Sequence, residues 1–181
     1  MLIRSRMGVS ADGFVADSSG IPAIALQPGF EPAVSHGFPE FFAPCDSVVM
    51  GRNTFVAGVQ APRFPWPGVR VFVLTSHPLP GGSPDGVTAA ASAAELARLI
   101  RGRGSDGDVH LVGGPQTIRA FYEAGELGRL ELVVLPVLLG TGVPLSPPGS
   151  PVMPLRLLGS ERVFPDGSAE LVYAPEPERA P

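Results

Sequence analysis

Runs of aliphatic and β-branched residues recur along the chain and predict the strands of a sheet. Several runs are continuously apolar instead of alternating with polar residues, which is typical of strands that are buried on both faces. The predicted strands are residues 2–9, 47–50, 69–75, 87–91, 108–113, 130–139, 156–164 and 168–174.

Apolar residues at helical spacing lie between several of these runs and predict four helices. The clearest begins at Ser92, where Glu95 three residues later forms a capping-box pattern. Another begins at Pro115, a residue that suits the first turn of a helix. The predicted helices are residues 92–101, 115–127, 30–43 and a short one at 52–58.

The order of these elements predicts an α/β fold with a mostly parallel central sheet and helices on both faces. Asp166-Gly167 lies between the last two apolar runs and is a strong signal for a β-hairpin, so the C-terminal edge should be antiparallel. At 181 residues the chain is long enough for one well-packed domain. We predict a single domain over residues 1–175 and a frayed tail at 176–181.

Composition excludes several classes of function. All 13 basic residues are arginine, against 17 acidic residues and a net charge of −4. A chain without lysine has no lysine-containing phosphate loop and no Schiff-base lysine, and without a basic stripe nucleic acid is not an expected partner. One cysteine, Cys45, fits a reducing compartment, and the three dispersed histidines predict no metal site. Without a long apolar run, the sequence predicts a cytoplasmic protein that does not bind membranes.

Three predicted strands end in residues that suit phosphate groups. Ligands gather at the carboxyl ends of parallel strands, where helix N-termini and arginine favour anions. Each junction alone also fits an ordinary turn or a local cap. Together they favour a dinucleotide that carries an extra phosphate. The candidate residues are Gly51, Arg52 and Thr54, then Thr75 and Ser76, then Gly113, Gly114, Pro115, Gln116 and Thr117.

The motifs VVMGRNTF, VFVLTSHP and VHLVGGPQTIRAFYEAGELGRLELVVLPVLLGTGVPL occur in this order and resemble the dihydrofolate reductase superfamily. The third motif is most similar to the branch that contains the reductase domain of bacterial riboflavin biosynthesis and many uncharacterised reductases. VSADGFVA resembles the Ser-x-Asp-Gly segment of that branch at Ser10, Asp12 and Gly13. The resemblance implies a three-layer dihydrofolate-reductase-like fold over residues 3–173.

NADPH is the cofactor that this resemblance implies. By position, Arg52 would contact the adenosine 2′-phosphate and Thr54 the pyrophosphate. Thr75 and Ser76 would lie around the 2′-phosphate and ribose, and residues 113–117 would place a helix start against the pyrophosphate. Gly8, Val15 and Ala16 would lie beside the nicotinamide.

The residue that supplies a proton is less clearly signalled. Asp12 follows the first strand and is the first candidate, although an Asp-Gly turn explains it equally well. Glu40 lies on the first helix, which borders the substrate cleft in this superfamily, and is otherwise a solvated helix residue. The sequence lacks the superfamily's Trp-containing loop and has Ser35 near the position of the usual acid, which argues against dihydrofolate as substrate.

These observations predict an NADPH-dependent reductase that transfers a hydride to a small heterocyclic (pterin- or pyrimidine-like) or carbonyl substrate. Two alternatives stay open: the 5-amino-6-(5-phosphoribosylamino)uracil reductase of riboflavin biosynthesis, and a nucleotide-binding protein without catalysis. The resemblance also implies a homodimer. The apolar stretch that Pro136 interrupts, followed by Gly140-Thr141-Gly142, is suited to an edge strand at its interface.

Overall fold

A computed structural model of the protein describes residues 1–31 and 34–176. The strands are β1 (Ile3–Ser10), β2 (Phe14–Ala16), β3 (Cys45–Gly51), β4 (Arg70–Leu74), β5 (Thr88–Ala90), β6 (Asp108–Gly113), β7 (Arg129–Leu135), β8 (Val143–Pro144), β9 (Leu155–Val163) and β10 (Ala169–Pro175). The helices are α1 (Phe38–Phe42), α2 (Arg52–Gln60), α3 (Ala93–Arg101) and α4 (Pro115–Glu123), with a 3-10 turn at Ala23–Leu26. In the described part of the chain, no helix is long and apolar enough to cross a membrane.

The chain forms two compact units. The first unit comprises residues 1–5 and 44–127, and the second comprises residues 6–43 and 128–181, so β1 contributes to both. The prediction of a single domain over residues 1–175 stays a prediction, and residues 177–181 of the predicted tail lie outside the described residues.

The first unit contains the parallel part of the sheet. Its strands follow the order β5-β4-β3-β6-β1, and every pair is parallel. Their apolar runs fill its core, in which Val49, Val73 and Leu111 are fully buried. Phe55 of α2 and Trp66 pack against one part of this core. Continuous hydrophobicity in β3, β4 and β6 therefore reflects burial on both faces, as predicted.

The second unit contains the antiparallel edge. Its strands follow the order β1-β7-β10-β9, and β10 is antiparallel to both of its neighbours. The predicted turn joins β9 to β10, with Gly167 in the left-handed region at φ 84°. A mostly parallel sheet with an antiparallel C-terminal edge is thus confirmed.

Two predictions about elements are wrong. The predicted helix over residues 30–43 is reduced to Phe38–Phe42. Gly37 precedes it in the left-handed region at φ 72°, which a continuing right-handed helix cannot contain, and Pro32 of that prediction lies outside the described residues. The predicted strand at 130–139 ends at Leu135, before Pro136, and β7 lies between β1 and β10 instead of at an edge.

Candidate functional site

Three parallel strands of the first unit end side by side. Gly51 at the end of β3 pairs with Leu74 of β4, and Met50 pairs with Gly113 of β6. Helices α2 and α4 begin immediately after β3 and after Gly114. We call this region the strand-end edge, and it brings the three predicted phosphate junctions together.

Both helices at the strand-end edge begin without a side-chain cap. Gly51 and Gly114 are the N-cap residues of α2 and α4, and no side chain accepts a hydrogen bond from the first turn of either helix among the described residues. By contrast, α3 begins at Ser92, whose hydroxyl accepts a hydrogen bond from the Glu95 N–H at 3.2 Å. First-turn N–H groups carry the positive end of the helix dipole, so this edge can attract an anion.

Arg52 reaches across the strand-end edge to the segment that follows β4. Its Nη1 donates to the carbonyl oxygen of Pro78 at 2.5 Å, and the side chain is half-buried. Thr75 forms a local turn, because its hydroxyl accepts from the His77 N–H at 3.0 Å. Ser76 is exposed, and Thr54 is half-buried in the first turn of α2. A guanidinium and several hydroxyls therefore lie near the same strand ends.

The glycines at this edge serve different purposes. A β-carbon on Gly51 would overlap the hydroxyl of Thr117, so close packing between β3 and α4 explains this glycine without a ligand. Thr117 is only 5% exposed, which leaves its hydroxyl little access to a bound phosphate. Gly113 has a φ of 125°, a backbone conformation that favours glycine, and its peptide bond to Gly114 is cis.

Gly114 differs from the other two glycines because it opens onto free space. A β-carbon built there meets no atom within 4 Å. Pro115 is half-buried and Gln116 is exposed in the first turn of α4. The backbone at Gly114 is therefore accessible to a ligand. A side chain at this position would occupy the open space without clashing with the rest of the protein.

In the second unit, the predicted nicotinamide segment is tightly packed. Gly8 in β1 is buried, and an added β-carbon would come within 2.5 Å of the Cβ of Ile24. Val15 and Ala16 are 7% and 8% exposed, and β2 pairs with β8. Ile24 belongs to the 3-10 turn and is itself a core residue. The three predicted residues thus contribute to the packing of this unit.

Asp12 is exposed, and its carboxylate holds a loop in place. Oδ1 accepts from the Ser10 hydroxyl at 2.6 Å and from the Leu139 N–H at 3.1 Å, and Oδ2 accepts from the Gly140 N–H at 2.7 Å. The Ser10 hydrogen bond, then that of Gly140, holds the pKa of Asp12 below its usual value. Asp12 is therefore ionised near neutral pH, and its geometry suits orientation of a neighbour better than donation of a proton.

Glu40, the other catalytic candidate, extends from α1 into solvent. Its side chain is 69% exposed and lies 3.6 Å from Arg162, which is itself 54% exposed. An ion pair this exposed contributes little to stability.

A pair of His36 with Asp166 lies in the same unit and was not predicted. Nε2 of His36 is 2.8 Å from Oδ2 of Asp166, and the His36 side chain is 8% exposed. The Ser168 hydroxyl, helped by His36, lowers the pKa of Asp166 to about 2. The two residues are 130 positions apart, so no local sequence signal could have joined them.

A buried group of charged side chains surrounds Arg6. Its Nη1 lies 2.8 Å from Glu131 and 3.3 Å from Glu170, and its Nη2 donates to the His36 carbonyl oxygen. Because Arg6 is already paired with two carboxylates, it is not available for a substrate phosphate.

The chain is similar in sequence to the uncharacterised protein YwjB of Bacillus subtilis. The two are 30% identical over 164 residues, and the match covers 86% of this chain and 88% of YwjB. No family model matches the chain.

Two solved structures are similar in fold. A putative riboflavin biosynthesis protein from Shewanella sp. PV-4 has a TM-score of 0.77 and 24% identity, over 98% of this chain and all of that one. The diaminohydroxyphosphoribosylaminopyrimidine deaminase/5-amino-6-(5-phosphoribosylamino)uracil reductase of Thermotoga maritima has a TM-score of 0.67 and 15% identity. That match covers 96% of this chain but only 56% of the Thermotoga protein.

Proposed function

Because the chain belongs to the family of YwjB and has the dihydrofolate-reductase-like fold of the riboflavin-biosynthesis reductases, we propose that it is an NADPH-dependent reductase. Its substrate is a small heterocyclic compound, pterin- or pyrimidine-like, or a carbonyl compound. The observation that carries the proposal is the strand-end edge, where two uncapped helix starts, an open glycine and Arg52 converge on the ends of parallel strands.

The residues at this edge fit a phosphorylated dinucleotide. Arg52 presents a planar guanidinium, which suits the adenosine 2′-phosphate that distinguishes NADPH from NADH. Gly114, at the start of α4, opens onto free space, which suits the pyrophosphate. Ser76 is exposed and can donate a hydrogen bond to the same phosphate region. Thr117 and Gly51, which pack against each other, contribute by shaping the edge.

NADPH would supply the hydride, and the protein would orient the substrate and deliver a proton to it. Asp12, as an ionised acceptor on an ordered loop, would orient a substrate N–H or O–H group. Glu40, whose side chain is 69% exposed on α1, is the candidate for proton delivery. Gly8, Val15 and Ala16 are buried in the packing of the second unit, so their place beside the nicotinamide stays a prediction from the resemblance.

A narrower assignment is the uracil reductase of riboflavin biosynthesis. The Shewanella and Thermotoga proteins carry that pathway or activity in their names, which favours it as a second candidate. Its phosphoribosyl substrate requires a cation, and the buried Arg6 does not offer one. A cytoplasmic location is part of the proposal, since the single cysteine suits a reducing compartment.

Loss of NADPH absorbance in the presence of candidate substrates tests this proposal. Dihydrofolate, pterins, small carbonyls and the phosphoribosylaminouracil would be compared at equal concentration, with NADH in a parallel series. We expect one class to accelerate NADPH oxidation. Binding of NADPH without turnover of any class would favour the non-catalytic nucleotide-binding protein instead.

A further inference from the structure

A cleft opens in the first unit at the amino ends of β4 and β5. It lies at the opposite end of β4 from the strand-end edge, because Arg70 begins this strand and Leu74, the partner of Gly51, ends it. Its volume is about 270 Å³. We call it the strand-start cleft, and its lining includes Arg70, Phe72, Thr88, Leu99 and Arg103.

The strand-start cleft has an apolar floor. Residues two apart on a strand project to the same side of the sheet, so Arg70 and Phe72 share a face. Thr88 of β5 is on that face too, because it pairs with Phe72. Phe72 is 4% exposed, and Leu99 lines the cleft from α3. An aromatic ring and an aliphatic side chain therefore lie beside a hydroxyl and a guanidinium.

Arg70 is held in position, but its charge is not neutralised. Its Nη1 donates to the carbonyl oxygen of Arg103 at 2.6 Å. Among the described residues, no carboxylate pairs with Arg70, and its Nε and Nη2 donate to no protein atom. These two nitrogens form one edge of the guanidinium and can donate two parallel hydrogen bonds to a carboxylate.

Arg103, by contrast, is already neutralised. Its Nη2 lies 2.9 Å from Oδ1 of Asp46, and its side chain is 3% exposed. Its Nη1 donates at 2.9 Å to the Ile100 carbonyl oxygen in the last turn of α3, which offsets the negative end of that helix. No acidic residue lines the cleft in the part of the chain that the structure describes. Arg70 therefore gives the cleft a net positive charge.

The volume of the strand-start cleft limits the size of its ligand. An apolar cavity of about 150 Å³ holds benzene, and pockets for drug-sized ligands have about 300 to 1,000 Å³. At about 270 Å³ the cleft lies between the two. It therefore suits one ring with a short charged arm, and a dinucleotide is too large for it.

We propose that the strand-start cleft binds a small carboxylate whose body is a single aromatic ring or an aliphatic group of similar size. The ring packs on Phe72 and Leu99, and the carboxylate accepts from Nε and Nη2 of Arg70. The Thr88 hydroxyl donates a further hydrogen bond. The site lies away from the residues assigned to the cofactor phosphates, so the proposal does not depend on the cofactor.

Titration of the purified full-length protein with phenylacetate, followed by nuclear magnetic resonance, tests the proposal. Phenylacetamide is the neutral probe with the same ring. Arg70→Gln removes the charge of the cleft, and Arg98→Gln is the matched control at an exposed position of α3. Leu99→Trp fills the cleft and keeps Arg70, and Arg52→Ala changes the strand-end edge instead. Thermal unfolding of each variant confirms that it is folded.

Phenylacetate should bind saturably with a dissociation constant of about 1 mM, an ordinary affinity for a ligand of about ten non-hydrogen atoms. Arg70→Gln should weaken phenylacetate about tenfold or more, because a charge-assisted contact is lost, and should leave phenylacetamide unchanged. Leu99→Trp should block both probes. Arg98→Gln and Arg52→Ala should bind both as the unmodified protein does.

Three results would overturn the proposal. The first is the absence of saturable phenylacetate binding to the unmodified protein. The second is equal affinity for phenylacetate in the unmodified protein and in Arg70→Gln. The third is binding that survives Leu99→Trp or that Arg52→Ala alone abolishes, since either would place the probe outside the strand-start cleft.

Discussion

Arg52 is the residue that we propose determines cofactor selectivity. Arg52→Ala should weaken NADPH binding by about 1 to 3 kcal/mol, because a charge-assisted contact to the 2′-phosphate is lost, and should change NADH binding much less. Fluorescence titration of both cofactors measures the difference. Arg98→Ala, an exposed charge on α3, is the matched control. Equal losses for the two cofactors would show that Arg52 does not contact the 2′-phosphate.

Gly114 tests where the pyrophosphate binds. Gly114→Val should weaken NADPH and NADH alike, because its side chain would occupy the open space at the start of α4. Gly102→Val, after α3, provides a control glycine with a negative φ of −74°. Isothermal titration and thermal unfolding are measured together, so that loss of binding is separated from loss of fold. A stable Gly114→Val protein with unchanged affinity for both cofactors contradicts the assignment.

Asp166 makes the stability of the second unit depend on pH in the acid range. Its pKa falls from 3.8 to about 2 in the folded protein, chiefly through the Ser168 hydroxyl. A carboxyl group whose pKa is lowered in the folded protein stabilises the fold at pH values above its pKa in the unfolded state. That stabilisation is lost as the pH falls from about 4 through about 2.

Asp166→Asn should therefore show a smaller decrease in unfolding free energy between pH 5 and pH 2 than the unmodified protein. Urea unfolding across this range is the measurement, and Asp85→Asn, at an exposed position of the first unit, is the control. An identical pH dependence in Asp166→Asn and the unmodified protein would mean that the Ser168 and His36 contacts do not stabilise the carboxylate.

At the scale of elements, sequence pattern was most informative where a local signal and the tertiary environment agree. β6 has the predicted bounds, Asp108–Gly113, because its apolar run is enclosed on both faces. The predicted cap at Ser92 is present, because capping depends only on residues within one turn.

Elements that depend on distant partners were not predictable. β2 and β8, of three and two residues, form only because they pair with each other, and runs this short show no periodicity. The helix predicted over 30–43 failed because Gly37 adopts a left-handed conformation that composition does not reveal. In the site, sequence located the strand-end residues, but the packing of Gly51 on Thr117 and the pairing of His36 with Asp166 required the fold.

Ser92 allows the capping of α3 to be tested directly. Ser92→Ala should reduce the free energy of unfolding by about 1 kcal/mol, because the Glu95 N–H loses its acceptor. Ser92→Thr keeps a hydroxyl at the cap and should recover most of that loss. Urea unfolding of the two variants gives the comparison. Equal destabilisation by alanine and threonine would rule out the cap as the cause.

At the scale of the whole molecule, all the residues proposed to contact the phosphates of the cofactor belong to the first unit. Because the chain contains no lysine, arginine supplies every permanently charged basic side chain. A binding site that loses its arginine therefore has no lysine nearby to take over the charge.

Titration of the purified protein with NADPH and with NADH, followed by nicotinamide fluorescence and thermal stabilisation, tests the proposed nucleotide site. We expect saturable binding of both cofactors, with tighter binding and a larger rise in melting temperature for NADPH. Binding of neither cofactor would contradict it, and would mean that this chain has the dihydrofolate-reductase-like fold without the nucleotide site on which the proposed reductase activity depends.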